Sequence, residues 1–514
     1  MIIMINANSF AKKQRDNELI GYVIGESKPH GGEFLALRPP MLGEYIELFY
    51  DKYHVIGLVQ SSVAGSIIID ESISANDLGK IASILKIDNR SVYYKGFYRI
   101  LGEVESLRIP PIAPPPGTEV YRASRKTLSK VFSPDEYRWC RIGSLLRNPD
   151  VEVRIDLNKI VQRHLAIIAM TGMGKSNLVA LLSREIVRRG GTVVIFDYHG
   201  EYKDLKIGSD SLVVIEAKLN PRYLSWQEFS RIIGIRPGAK NQELLVRICK
   251  NKIDTEKDSK VFYLDALVNC IRSEGLKSSR NEMKDAAQAV IDLIEGNRLF
   301  LKNLLNDAVR DVIDQINLSK LNVVDLTSLT MSQIDAVVSH WLNRILEERK
   351  RVTWLSKVNS RIDKGLVHPV MIFLEEAHIY ISSGRETLSR YRIESIVREG
   401  RKFGVGVGIV SQRPRGLDPD IMSQIGSWAI MRIIQPEDQI FVSRVSEYMT
   451  QEIIDQLPSL NIGEAVLVGL WVRVPAIVKI DHVSEKISGV DIDPVSEWMR
   501  TRRETNNAGT NLRP

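Results

Sequence analysis

One segment of this 514-residue chain has the residue types and spacing of a phosphate-binding loop. Residues 165–170 form an apolar run, residues 171–176 read TGMGKS, and apolar residues at helical spacing follow. Glycines let backbone N–H groups curl around a β-phosphate, a lysine meets the β- and γ-phosphates, and a hydroxyl holds Mg²⁺. An accidental GKS at a helix start is the alternative, and the strand before it and the helix after it disfavour that alternative. The predicted nucleotide-binding residues of the loop are Gly172, Met173, Gly174, Lys175, Ser176 and Asn177.

Two adjacent carboxylates follow a second apolar run. Residues 370–374 have the composition of a buried strand, and Glu375 and Glu376 come directly after it. We expect Glu375 to hold the Mg²⁺ shell through water and Glu376 to polarise the attacking water. A carboxylate pair at this place indicates hydrolysis rather than transfer to a second substrate. Two solvated glutamates at a strand exit are the alternative.

A third predicted strand, residues 405–410, is flanked by polar groups that suit a γ-phosphate. Gln412 follows this strand and is the candidate to sense the phosphate. Before it, a predicted helix ends in a basic run, where Arg401 is the first candidate for an arginine finger and Arg398 the second. A salt-bridged helix end would explain the same arginines equally well.

Two smaller features flank the loop. A strand over residues 192–196 ends at Asp197, whose carboxylate is expected at the same sheet edge as the nucleotide. Arg163, just before the first strand, could reach a phosphate or pack on the surface. His199 and His378 are expected to be hydrogen-bonded structural residues rather than metal ligands, since no cysteine or second histidine sits at ligand spacing.

These elements belong to an α/β pattern that follows a β-rich N-terminal module. Short alternating runs between about 19 and 102 predict a small barrel or sandwich, and residues 109–117 are proline-rich, which predicts a stiff linker. From about residue 155, strand, loop and helix alternate as in a parallel sheet, with a helical insertion over about 220–319. The predicted units are a barrel (1–108), a linker (109–120), an ATPase core (121–485) and a C-terminal tail (486–514) that could brace a neighbouring subunit.

Composition is that of an ordinary soluble protein, with 44% hydrophobic and 26% charged residues. No apolar run approaches the roughly 20 residues that a membrane span needs, so we expect a cytoplasmic protein without a membrane partner. The net charge of +7 is too mild to indicate nucleic-acid binding by itself. The cysteines show no CxxC spacing and are expected to be reduced, mostly buried thiols: Cys140, Cys249 and Cys270.

The motifs occur in a combination that resembles the archaeal HerA family of hexameric DNA translocases, relatives of the bacterial FtsK pumps. The matching segments, in order, are the β-rich module, RHLAIIAMTGMGKSN, FDYHGEY, FLEEAH and REGRKFGVGVGIVSQRP. The resemblance covers nearly the whole chain. It implies an N-terminal HAS barrel, a RecA-like P-loop ATPase core with a helical insertion, and a C-terminal segment that braces the next subunit.

The same resemblance implies a function and roles for the residues already named. It implies a homo-oligomeric ring, expected to be a hexamer, that threads double-stranded DNA and works with a NurA-type nuclease in end resection during double-strand break repair. Lys175 and Ser176 would bind ATP and Mg²⁺, Glu376 would be the catalytic glutamate, and Arg401 would act in trans. Two more residues match family positions that line the nucleotide site: Arg163 and Asp197.

DNA contacts are expected from arginines that follow the acidic strand, in the segment 382–392. Such contacts would go to phosphates and read no sequence, as a translocating motor requires. Arginines that merely cover a helix face would look the same in sequence. Rival functions are a ring ATPase that remodels or threads protein, a coupling ATPase of a DNA-transfer system, and a scaffold with a vestigial site. The DNA-contact candidates are Arg385, Arg390 and Arg392.

Overall fold

A computed structural model describes residues 17–66, 92–205, 208, 211–255, 262–358, 360–362, 364–484 and 499. The strands of these residues form two sheets, a closed barrel and an eleven-stranded mixed sheet that is covered by helices. The predicted fold class, a small barrel followed by a RecA-like α/β core with a helical insertion, is confirmed. The predicted tail lies outside the described residues, apart from Met499.

Six antiparallel strands close the N-terminal barrel in the order β1-β2-β5-β4-β3-β6. Alternate side chains point inward, so that residues such as Ile20, Phe34 and Ile46 form a separate small core. The strands are β1 Leu19–Lys28, β2 Gly31–Ala36, β3 Tyr45–Tyr50, β4 Tyr53–Ser66, β5 Val92–Glu103 and β6 Glu119–Arg122.

The proline-rich segment is part of the barrel, so the prediction of a linker over 109–120 is wrong. It joins β5 to β6, and β6 completes the barrel by pairing with both β1 and β3. The segment is held to the barrel by hydrogen bonds to its carbonyls: the hydroxyl of Tyr50 donates to Ile112 at 3.1 Å, and that of Ser27 donates to Pro114. Proline is disfavoured in a central strand, but the segment between β5 and β6 is not a strand and can hold several prolines.

Seven parallel strands and four antiparallel strands make up the large sheet, in the order β11-β12-β10-β13-β14-β9-β15-β16-β17-β7-β8. The parallel part runs from β11 to β15, and the first antiparallel pair is β15 with β16. The strands are β7 Trp139–Leu145, β8 Glu152–Asp156, β9 Leu165–Ile168, β10 Thr192–Asp197, β11 Leu212–Glu216, β12 Leu321–Asp325, β13 Val370–Leu374, β14 Val405–Ser411, β15 Ser427–Ile430, β16 Glu464–Gly469 and β17 Ala476–Ile480.

Helices cover both faces of this sheet, and six of them lie between β11 and β12 as the helical insertion. The described α-helices are α1 Arg125–Phe132, α2 Leu157–Arg163, α3 Lys175–Arg188, α4 Trp226–Ile232, α5 Lys240–Thr255, α6 Tyr263–Ile271, α7 Asn281–Gly296, α8 Arg298–Leu304, α9 Val312–Gln315, α10 Met331–Lys357, α11 Leu388–Phe403, α12 Pro419–Met422, α13 Pro436–Val445 and α14 Gln451–Ile454. No described helix has the length and apolar character to cross a bilayer.

A disulfide joins two helices of the insertion, which corrects the expectation that all three cysteines are reduced. Cys249 on α5 is bonded to Cys270 on α6, and Cys140 is a buried free thiol. The pairing depends on how α5 and α6 pack, with Cα atoms 5.6 Å apart, and a 21-residue separation in sequence carries no sign of it.

Candidate active site

Four neighbouring parallel strands bring the phosphate loop, the acidic pair, Asp197 and Gln412 to one edge of the sheet. The strands lie in the order β10-β13-β14-β9, with Phe196 beside Leu374, Leu374 beside Ile409, and Ser411 beside Ile168. The carboxyl ends of these strands therefore meet, and that edge is where ligands bind in open α/β sheets. The loop after β9, the acidic pair after β13 and the glutamine after β14 are close together for this reason.

Two glycines shape the loop between β9 and α3. Gly172 and Gly174 have φ angles of 77° and 104°, in the left-handed region that disfavours side chains. A Cβ atom on Gly172 would meet nothing within 4 Å, so backbone conformation rather than lack of space requires glycine there. Helix α3 begins at Lys175, directly after the loop, so its unpaired N–H groups face the cradle that the glycines form.

The side chain of Lys175 is buried at the centre of this edge. Its Nζ donates two long hydrogen bonds to main-chain carbonyls of the loop, at 3.4 Å to Ala169 and 3.3 Å to Met170. Burial lowers its pKa, and the nearby charges of Glu376 and Glu375 oppose that effect. A buried ammonium with weak partners is well suited to an incoming phosphate.

The two glutamates after β13 have different surroundings. Glu375 is buried, and burial raises its pKa to about 7, although it accepts a hydrogen bond from the hydroxyl of Tyr202. Glu376 is also buried, but its interactions with His378, Lys175 and His199 outweigh that burial and lower its pKa. Nδ1 of His378 lies 3.2 Å from Oε2 of Glu376, and Nε2 of His199 lies 3.6 Å from Oε1. The environment therefore favours an ionised Glu376, as a general base requires.

Gln412 lies beside the loop, as its position after β14 predicts. Its Oε1 accepts a hydrogen bond from the hydroxyl of Thr171, the first residue of the TGMGKS segment. The side chain is half-buried at the same sheet edge as Lys175. This placement leaves the amide within the region that a bound triphosphate would occupy.

Three of the predicted nucleotide-binding residues, Asp197, Asn177 and Met173, have side chains that contact other parts of the protein. The carboxylate of Asp197 accepts hydrogen bonds from three successive backbone N–H groups, those of Gly200, Glu201 and Tyr202, at 2.8 to 3.1 Å. These contacts shape the loop after β10. The pKa of Asp197 is raised by burial.

The other two residues contact the C-terminal part of the core. The Asn177 amide donates to the carbonyl of Asp481 at 2.9 Å and accepts from the N–H of Val483 at 2.9 Å, so it ties α3 to the chain after β17. Met173 packs its side chain against the core, and its carbonyl accepts from the N–H of Gly463 at 3.0 Å. Only the backbone of Met173 belongs to the cradle.

Arg163 and Arg401 lie at the opposite edge of the sheet. Arg163 ends α2 just before β9, and Arg401 lies in the last turn of α11 just before β14. Both precede their strands, whereas the phosphate loop follows β9, and a four-residue strand spans roughly 13 Å. Neither arginine is placed to reach the loop of its own chain. Arg401 is exposed and has no ion pair among the described residues, whereas Arg398 pairs with Glu394 at 2.6 Å.

The three predicted DNA-contacting arginines have unequal freedom. Arg385 is exposed in the loop before α11, and Arg392 is half-buried on that helix. Arg390 is in an ion pair, because its Nη2 lies 2.6 Å from Oδ2 of the buried Asp418, which in turn caps α12. Its guanidinium is held by this contact within the fold. This placement agrees with the alternative given above, an arginine with a structural role on a helix face.

Sequence reasoning missed Tyr202 and Glu201, which lie beside the acidic pair. In the FDYHGEY segment, sequence reasoning selected Asp197. The residue of that segment that contacts Glu375 is Tyr202. The charge of Glu201 acts on both Lys175 and Glu375. Both residues could have been selected from the sequence, because the segment follows a strand of the same sheet and has several polar residues in one tight turn.

A nucleoside triphosphate with Mg²⁺ fits this set of groups. The glycine cradle is open, the ammonium of Lys175 has only weak partners, and a hydroxyl (Ser176) and a carboxylate (Glu375) of the kind Mg²⁺ prefers lie nearby. Fold and site together define a P-loop ATPase with a RecA-like sheet.

Family models assign the chain within that class. Three of them match: the central domain of helicase HerA over residues 140–345, the HAS barrel domain over 20–107, and the helicase HerA-like C-terminal domain over 363–507. The chain belongs to the HerA helicase family and is an ATP-hydrolysing enzyme.

Curated relatives agree with this assignment over nearly their whole length. A DNA double-strand break repair helicase HerA from Sulfurisphaera tokodaii is 39% identical, with 95% of this chain and 97% of the relative covered. The protein of the same description from Saccharolobus solfataricus is 38% identical, with 94% and 96% covered. Among solved structures, VirB4 of Thermoanaerobacter pseudethanolicus has a similar fold, with a TM-score of 0.52 and 14% identity over 69% of this chain and 99% of that one.

Proposed function

We propose that this chain hydrolyses ATP with Mg²⁺ to drive double-stranded DNA through a ring of six subunits. We further propose that it does so with a NurA-type nuclease, in the end resection that repairs double-strand breaks. The observation that carries the proposal is the meeting of Lys175 and Ser176 with the pair Glu375 and Glu376 at one sheet edge. The curated relatives, described as DNA double-strand break repair helicases, support DNA as the substrate.

Each residue of the site has a distinct task in this proposal. Lys175 binds the β- and γ-phosphates. Ser176 and, through water, Glu375 would hold a magnesium ion, which would neutralise charge on the phosphates. Glu376, kept ionised by His378, orients the attacking water and accepts its proton. Gln412 contacts the γ-phosphate from the side of Thr171.

A ring is supported by the separation of the arginines from the phosphate loop. Arg163 and Arg401 lie at the amino-terminal edge of the parallel strands, and Lys175 lies at the carboxyl edge. In a head-to-tail ring, one edge of each subunit faces the opposite edge of the next. Arg401 would then complete the site of a neighbouring subunit, and hydrolysis would change how two subunits pack.

The barrel offers a surface for the nuclease. Tyr22 pairs with Leu35 across β1 and β2, Leu35 is in register with Lys95 on β5, and Lys95 is in register with Val63 on β4. The three apolar members of this row are exposed, and Leu37, two residues beyond Leu35, is 64% exposed. Exposed apolar side chains grouped around Lys95 on one face of the barrel support a protein partner.

The rival function, threading of polypeptide, would need exposed aromatic side chains in the pore, and one of the two tyrosines of the segment after β13 is not exposed. Tyr380 is fully buried, so it is not a side chain that grips a substrate in a pore. Tyr391 is exposed, but so is Arg385 in the same segment. The accessible groups there favour phosphate contacts over a hydrophobic grip.

The first test is the steady-state ATPase rate without DNA, with long duplex DNA and with single-stranded DNA. We expect duplex DNA to raise the rate several-fold and single-stranded DNA to raise it less. Glu376→Gln serves as the blank and should bind ATP while losing about 100-fold or more in rate, because it lacks the general base. Glu282→Gln, at an exposed position on the helical insertion, is the matched control and should behave as wild type. A rate that no DNA changes would contradict the DNA-translocase proposal.

A second test addresses the nuclease. Leu37→Glu should weaken co-purification with a NurA-type nuclease and leave the DNA-stimulated ATPase unchanged, because Leu37 is remote from the site. Leu299→Glu is the control, since Leu299 is 80% exposed on the helical insertion. Equal binding by both variants would exclude this part of the barrel as the docking surface.

A further inference from the structure

Tyr202 is a fully buried tyrosine in the loop after β10. Asp197 fixes this loop by accepting the backbone N–H groups of Gly200, Glu201 and Tyr202, the last at 3.0 Å. Gly200 has a φ angle of 77°, which lets the chain turn sharply enough for the three N–H groups to converge. The position of the Tyr202 ring is therefore set by its own loop as well as by packing.

The hydroxyl of Tyr202 contacts two groups of the nucleotide site. It donates a hydrogen bond to Oε1 of Glu375, and it is hydrogen-bonded to the side chain of Ser176. Ser176 and Glu375 are the two residues to which the proposed function gives the magnesium ion. One phenol thus connects both predicted metal-holding groups, which follow different strands of the sheet.

We infer that Tyr202 is a positioning residue for the magnesium ion. This inference rests on the proposed Mg·ATP site. The hydroxyl fixes one oxygen of Glu375 and leaves the other free for the metal's water shell, as outer-shell partners commonly do for metal ligands. The bond to Ser176 keeps the serine hydroxyl close to Glu375, where the two groups would hold the ion together.

A role confined to packing predicts a different outcome from a role in metal binding. Replacement of Tyr202 by phenylalanine keeps the ring and removes only the hydroxyl. If the ring alone mattered, the affinity for metal would not change. If the hydroxyl orients Glu375, the affinity for metal falls, and nucleotide binding without metal does not, because Lys175 and the glycine cradle are untouched.

The experiment uses Mn²⁺ as a paramagnetic probe, titrated into the full-length chain with a non-hydrolysable ATP analogue and followed by the signal of free Mn²⁺. We expect Tyr202→Phe to raise the Kd for Mn²⁺ by about 10-fold or more. In a parallel titration in EDTA, its affinity for the analogue should stay within about twofold of wild type. Unchanged Mn²⁺ affinity in a folded Tyr202→Phe protein would overturn the inference.

Tyr380→Phe is the matched control. Tyr380 is equally buried and lies near Glu375, but its hydroxyl has no hydrogen-bond partner among the described residues. Removal of the Tyr380 hydroxyl should leave Mn²⁺ affinity unchanged. A fall in Mn²⁺ affinity equal to that of Tyr202→Phe would count against a specific role for Tyr202.

Asp197→Asn provides a second route if Tyr202→Phe does not fold. This variant keeps the tyrosine but replaces one of the two carboxylate oxygens that accept the backbone N–H groups of the loop. We therefore expect Mn²⁺ affinity to fall, but by less than in Tyr202→Phe. Wild-type Mn²⁺ affinity in that variant would contradict the inference. Absence of nucleotide binding in the wild type itself would instead refute the proposed function, and the inference with it.

Discussion

Nε2 of His164 donates a hydrogen bond to the main-chain carbonyl of Val397 at 3.1 Å, which joins the start of β9 to α11. The other ring nitrogen, Nδ1, accepts the N–H of Val407 at 3.2 Å, so the imidazole is neutral and its tautomer is fixed. Arg163 precedes this histidine, and Arg401 lies one helical turn beyond Val397. The bond therefore ties together the two segments that carry these arginines, at the edge of the sheet opposite the phosphate loop of their own chain.

That arrangement predicts complementation between subunits. Arg401→Ala and Lys175→Ala should each abolish most of the ATPase activity, and a mixture of the two should recover part of it. In a head-to-tail ring assembled at random from equal amounts, about a quarter of the interfaces combine an intact loop with an intact arginine. Steady-state ATPase rates over a series of mixing ratios measure the recovery.

A second mixture provides the control for complementation. Lys175 and Glu376 lie at the same sheet edge of one chain, so Lys175→Ala mixed with Glu376→Gln leaves no interface with a complete site. That mixture should stay inactive at every ratio. Failure of the Arg401→Ala mixture to exceed it would argue against an arginine supplied by the neighbour.

His164 also predicts how stability depends on pH. Burial lowers its pKa to about 4, from 6.5 in an unfolded chain, so the unfolded state binds more protons between these values. The stabilisation is fully present above pH 6.5 and is lost as the pH falls to 4, by about 3 kcal/mol in total. Unfolding midpoints in urea at several pH values should fall more steeply for wild type than for His164→Gln. His368→Gln, at an exposed position, is the control and should retain the wild-type slope.

The arginines near α11 should separate into two kinds. Arg385→Ala should weaken binding to duplex DNA and reduce the salt dependence by about one phosphate contact per subunit, with the unfolding midpoint unchanged. Arg390→Ala should lower the midpoint instead, because it leaves the buried carboxylate of Asp418 without its partner. Filter binding across a salt series, together with thermal unfolding, distinguishes them. A pure DNA-binding defect in Arg390→Ala would show that the pair with Asp418 is dispensable.

Much of the candidate active site could be predicted from the sequence, because its signals are local. The glycines before Lys175 and the acidic pair after an apolar strand are read from neighbouring residues, and parallel strands must bring their carboxyl ends together. The structure accordingly finds Gln412 against the phosphate loop. The opposed position of Arg401 follows from the same rule, since a helix that leads into a strand ends at the other edge.

The features that sequence reasoning missed all depend on contacts between distant segments. The four residues of β6 follow a proline-rich stretch and become a strand only because β1 and β3 leave a gap between them. Asp197 has a place at the site edge but uses its oxygens within its own turn, which gives Tyr202 the contact with Glu375. No residue type in that turn indicates which polar group faces inward.

The disulfide of the helical insertion predicts a stability that depends on redox state. In protein purified without reductant and then denatured, alkylation followed by mass measurement should label one cysteine, Cys140, and label three after reduction. Closing a loop of this length stabilises a fold by about 3 kcal/mol, so reduction should lower the unfolding midpoint of the wild type. The double variant Cys249→Ser/Cys270→Ser should unfold at the lower midpoint whether or not reductant is present, because it has no bond to lose. Three labelled cysteines without reduction would mean that the bond does not form in the purified protein, and the insertion would then depend on helix packing alone.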